Sequence, residues 1–127
     1  MAGLSRDTKA LVMAALKAAL PDVQVVSSVP FANGDPPDPL VLVLATGGQG
    51  QHQRVLSTGQ VTIDSFAPTT GQAMRLALRV DSAINALVAG NDHPVTRVMG
   101  NAPSESPDPT LTAARATATY QITTRNP

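Results

Sequence analysis

The chain has 127 residues, enough for one domain with a core of its own, and its nine basic and nine acidic residues leave no net charge. Binding to nucleic acid through phosphate neutralisation normally needs a basic excess, so it is not expected here. Zero cysteines exclude disulfides, thiolate metal sites and a cysteine nucleophile.

Residues 5–20 have the four-residue repeat of an amphipathic helix, with Leu11, Ala15 and Ala19 beside Val12, Leu16 and Leu20 on one face. Ser5 is placed to cap it, Asp7 to complement its dipole, and Pro21 to end it. Residues 23–29 read as a short strand with Val23, Val25 and Val29 on one side. The following stretch, residues 30–39, holds four prolines and an Asn-Gly pair, which forbid regular structure. Residues 40–45, LVLVLA, are continuously apolar, as in a strand covered on both faces.

The next segment, TGGQGQHQ, reads as a flexible hairpin connection. Its glycines, Gly47, Gly48 and Gly50, resemble a phosphate-binding turn only superficially. Gln53 stands where a last glycine would fall, and a strand follows instead of the helix N-terminus such a cradle uses. Residues 54–66 form that strand, with Gly59 as a candidate bulge. Thr69 and Gln72 form a capping box at the start of a second helix. Its core stripe is Ala73, Ala77, Val80, Ile84 and Leu87, with Arg75, Arg79, Ser82 and Asn85 opposite and Gly90 as the stop. Residues 95–99 read as a strand, 100–109 as a second proline-rich loop, and 114–125 as a strictly alternating strand. On that last strand Ala116, Ala118, Tyr120 and Ile122 face the core, and the two alanines allow a helix to approach closely. The expected fold is α+β in the order α-β-β-β-α-β-β, a mostly antiparallel mixed sheet with two helices packed on one face and no internal domain boundary.

Residues with catalytic chemistry do not converge in the pattern. His52 and His93 lack partners at metal-ligand spacing, and Asp35, Asp38 and Asp108 sit where turn chemistry explains them. A G-x-S-x-G elbow is absent, and only Asp64 and Asp81 are carboxylates on regular elements. Arg75 and Arg79, four apart on a helix, make either a solvated face or a partner-binding one. With two Phe, one Tyr and no Trp the core is thin, a weak reason to expect burial against other subunits. No apolar run approaches a membrane span and the first residues lack a signal-peptide pattern, so a soluble product made in the cytoplasm is expected.

Taken in order, LPDVQVVSSVP, a Pro/Asp-rich gap, PLVLVLATGGQG, a long strand ending VTIDSFA, the helix TTGQAMRLALRVDSAINAL, VTRVMGNAPSESPDP and the terminal ARATATYQITTR resemble the tail terminator proteins of long-tailed bacteriophages, also called minor tail or tail-to-head joining proteins. The similarity runs from about Leu11 to Arg125 and rests on order and spacing. It implies a single domain over residues 1–127, with no enzymatic activity and no cofactor. Such a subunit forms a homo-oligomeric, hexameric ring in the neck of the virion. The ring caps the head-proximal end of the tail tube, stops its polymerisation and joins tail to head.

The partners implied are other copies of the chain, the tail tube protein and a head-completion or neck protein. DNA would pass through the lumen without specific binding, and no membrane is involved. Carried to this sequence, the resemblance makes interface elements of residues 47–53 (Gly47, Gly48, Gln49, Gly50, Gln51, His52 and Gln53), residues 30–39 (with Asp35 and Asp38) and residues 101–109 (with Glu105 and Asp108). Arg75 and Arg79 are added as an exposed helix face. An adjacent neck component, such as a head-completion or stopper protein, is the alternative, followed by a small ligand-binding enzyme.

Overall fold

The computed structural model of the chain describes residues 7–28, 39–52, 56–89, 94–109, 111 and 113–125. Two helices, α1 (Thr8–Ala19) and α2 (Thr70–Asn85), pack on one face of a six-stranded mixed sheet. Its strands are β1 (Gln24–Val26), β2 (Leu40–His52), β3 (Leu56–Ala67), β4 (Val95–Gly100), β5 (Ser104–Glu105) and β6 (Ala114–Arg125). The spatial order is β1-β2-β3-β6-β4, with β5 beside β6 on the same side as β4. Among the described strands only β1 and β2 run parallel. A parallel pair needs a crossover of a dozen residues or more, and residues 27–39 between the two strands supply that length.

The helix α1 starts at Asp7, whose Oδ1 accepts from Ala10 N at 3.0 Å, so Asp7 is itself the cap. Ser5, the expected cap, lies outside the described residues. The buried line is Val12, Leu16 and Leu20. Leu11 and Ala15 are half-buried and Ala19 is exposed, because α1 lies on the sheet along one row of the two predicted. Thr69 caps α2 as expected, its Oγ1 accepting from Gln72 N at 3.2 Å. Ala73, Ala77, Val80 and Ile84 are buried, and Leu76 joins them. The helix gives way after Asn85 to a 3₁₀ turn, Ala86–Ala89. The first strand is shorter than the predicted 23–29: Val23, Ser27 and Ser28 are bends outside it, while Val29 and Gly90 lie outside the described residues.

The alternation in β6 sets the core. Ala116, Ala118, Tyr120 and Ile122 face the helices and are buried. Ala67, Ala73, Ala77 and Ala116 form a cluster of four alanines where α2 meets β3 and β6. The small side chains bring the helix close to the sheet, and volume there is tightly constrained. Next to it, Val12, Leu16, Val41, Val43, Val61, Ile63, Val80 and Ile84 join α1, α2 and the sheet in the main core. Each fully buried Val, Leu or Ile contributes about 1.5–3 kcal/mol.

Two expectations about β2 and β3 are corrected. The segment following LVLVLA is not a loop. β2 continues for 13 residues to His52 and stays paired with β3, where Gly50, Gln51 and His52 face Thr58, Ser57 and Leu56. Gly and Gln have low strand propensity, but a complete partner strand supplies ladder bonds that override it. The backbone groups of this segment that point toward β3 are therefore paired within the chain.

The bulges also lie on β2 and not at Gly59. The register shifts between Ala45 and Gly47 and again between Gly47 and Gly50, each adding a residue on the β2 side. Gly47 has φ 104°, a conformation that favours glycine. Gly59 keeps regular pairing with Ile122 and serves another purpose: a Cβ there would collide with Thr8, so its bare backbone lets the first turn of α1 lie on the sheet.

Candidate assembly surfaces

The helix-free face of the sheet divides into two zones. At one end Leu40, Leu42 and Phe66 are buried, with Val26 and Leu111 packed against them. LVLVLA is thus covered on both faces as far as Val43, but Leu44 is 36% exposed. Leu111 follows a proline-rich segment that Arg115 of β6 holds in place. Its Nε donates to the Ser106 carbonyl at 2.8 Å, a second guanidinium nitrogen donates to Ser106 Oγ at 3.2 Å, and Asp108 lies 3.8 Å away. The Asp108 carbonyl also accepts from Leu111 N at 3.0 Å. These contacts tie Asp108 to its own chain.

Toward the other end the face is polar. Thr58 and Thr123 share a hydrogen bond of 2.9 Å across β3 and β6, Thr62 and Thr119 one of 3.0 Å, and Gln60 Nε2 donates to Thr46 Oγ1 at 3.1 Å. Cross-strand pairs of this kind contribute about 0.2–1 kcal/mol each, and they hold the side chains in a flat array.

Residues 47–52 sit at this polar end, with their backbone in β2. Because β1 pairs only with Leu40, Val41 and Leu42, the outer edge of β2 from Val43 to His52 lies beside no other strand among the described residues. An edge of that length displays unpaired N–H and C=O groups that can template pairing with another chain. Gln53, Asp35 and Asp38 lie outside the described residues, as does His93.

Arg75 and Arg79 do come together, on the flank of α2 that faces β2. They border an open groove of about 530 Å³ whose walls include Pro39, Ala67, Pro68 and Leu76. Arg79 forms a two-pronged pair with Asp22, its two terminal nitrogens 2.8 and 3.1 Å from the two carboxylate oxygens. The hydrogen bond from Arg79 holds the Asp22 carboxyl below its ordinary value, and the same bond raises Arg79. With both side chains about half exposed or more, solvent screens the pair, which fixes the guanidinium more than it stabilises the fold. Arg75 makes no ion pair among the described residues.

Glu105 stands on the other flank of α2, exposed on the edge strand β5 opposite Ala116. Between β4 and β5 the chain leaves β6 briefly, and Asn101 fills the gap: its Oδ1 accepts from Thr119 N at 2.9 Å. Sequence reasoning missed Asp22, Asn101 and Arg115. The partners of Asp22 and Asn101 are far away in sequence, 57 and 18 residues respectively, so no local pattern announces them.

The remaining carboxylate on a helix, Asp81, accepts from the Tyr120 hydroxyl at 2.7 Å. Burial, followed by the hydrogen bond and charge of Asp81, pushes the Tyr120 phenol far above its ordinary value. Among the described residues no three His, Cys, Asp or Glu gather as metal ligands, and no helix is long and apolar enough to cross a membrane. Neither protein-family models nor the sequences of curated proteins give a match to this chain.

Proposed function

We propose that this chain is a tail terminator subunit of a long-tailed bacteriophage, a structural protein whose ring caps the head-proximal end of the tail tube and joins it to the head. The order and spacing of the elements support this reading. So does the way the surface is divided: both helices cover one face, leaving a Thr/Gln face and, among the described residues, a long strand edge with no partner strand. The observation that carries most weight is the outer edge of β2, which from Val43 to His52 pairs with no strand among the described residues, because an edge of that length can template pairing with another chain.

The test is binding to purified virion parts. Mixed with isolated tail tubes, the protein is expected to label one end of each tube in electron micrographs. If it bound portal-bearing heads and left tube ends bare, it would belong to the adjacent neck ring instead.

A further inference from the structure

We infer that the groove bordered by Arg75 receives the Glu105 edge of a second copy of this chain, so that neighbouring subunits join head to tail. The inference rests on the ring reading above and names the contact that would close the ring.

Both patches have a free charge. Among the described carboxylates, Asp7 caps α1, Asp22 and Asp108 face arginines, Asp81 accepts from Tyr120, and Asp64 is half-buried. Glu105, the only glutamate of the chain, is exposed and makes no side-chain bond among the described residues. Arg75 is the guanidinium of the groove left free, while Arg79 beside it is held by Asp22.

Their shapes correspond as well. Pro103 and Pro107 flank the short strand Ser104–Glu105, which keeps the segment extended and gives it two apolar rings around a central carboxylate. The groove offers Pro39, Pro68 and Leu76 as apolar walls beside its guanidinium. A planar guanidinium also matches a carboxylate in two-point geometry.

Their placement excludes contact within one subunit. Glu105 is level with Ala116, Ser65 and Val41 across the sheet, and the groove opens at the same end, beside Ala67 and Pro39. The two patches are on opposite flanks of α2, separated by β3 and β6. Opposite charges on opposite flanks at one level make a heterologous contact, which closes into a ring when the rotation between subunits allows it. A charge pair at such a rim sets register and rejects wrong neighbours.

Charge reversal tests the contact. Arg75→Glu and Glu105→Arg are both surface changes, and circular dichroism checks that each variant is folded. Native mass spectrometry then compares assembly of the wild-type protein, each variant alone, and the two variants mixed in equal amounts. Each variant alone faces a like charge and is expected to assemble roughly tenfold or more weakly than wild type. In the mixture every junction can pair a glutamate with an arginine if the variants alternate, so even-membered rings are expected to return. Wild-type-like assembly of both single variants, or no recovery in the mixture, overturns the contact and leaves the ring reading standing. A wild-type protein that stays monomeric, even with tail tubes present, overturns the ring reading and the contact together.

Discussion

Tyr120 is the chain's single tyrosine, and it is 1% exposed, with its hydroxyl joining the sheet to α2 through Asp81. Its neutral form is favoured by burial, so the sign of the linkage is fixed. The phenol stays protonated in the folded state while the unfolded chain ionises near pH 10, and the stability it contributes is complete below that pH and lost above it. Thermal melts are expected to show a steeper fall above about pH 10 for the wild-type protein than for Tyr120→Phe. The tyrosinate absorbance of the native protein should appear only with unfolding, a clean readout in a chain without tryptophan. Tyrosinate formed near pH 10 with the fold intact would contradict the burial described here. The alternation of β6 already placed Tyr120 toward the core, but its partner was not legible, since Asp81 is 39 residues away and on another element.

The packing of α2 on β6 depends on alanines. Ala77 is 4% exposed within the cluster of Ala67, Ala73 and Ala116, where an added carboxylate has neither room nor a partner. Ala77→Asp is expected to destabilise the subunit by about 3 kcal/mol or more, measured by denaturant unfolding. Melting like wild type would mean that this face of α2 does not pack on the sheet. The helix stripes and the β6 alternation were legible because each is a local period written in consecutive residues. The extent of β2 was not. Thr46 through His52 read as a loop by propensity, and what makes them a strand is the ladder to residues 56–60, a non-local pairing with two bulges. Gly59 was misread for a related reason: the demand for a bare backbone there comes from Thr8, on a different element.

Among the described residues the molecule is asymmetric: helices on one face, an apolar end and an array of hydroxyls and amides on the other, an edge of β2 without a partner strand, and opposite charges on the two flanks of α2. The α+β class and the order of the longer elements followed from periodicity and turn chemistry, since each carries its own signal. β5 did not: Ser104 and Glu105 lie in the stretch read as a proline-rich loop, and they are strand only because they pair with Thr117 and Ala116. The surfaces proposed for assembly were only partly legible. Arg75, Arg79 and Glu105 could be picked out as exposed charges, but that Arg79 is already held by Asp22, and that Arg75 and Glu105 flank the same helix on opposite sides, depends on how distant segments meet. Asp108 carries the same kind of charge in sequence yet contacts Arg115.

The most direct measurement for the proposed role is tube growth. Tail tube protein polymerised with and without this chain, and imaged over time, is expected to stop lengthening once the protein caps the growing end, with added protein giving shorter tubes. Tubes that keep growing at the same rate in its excess would contradict the assignment.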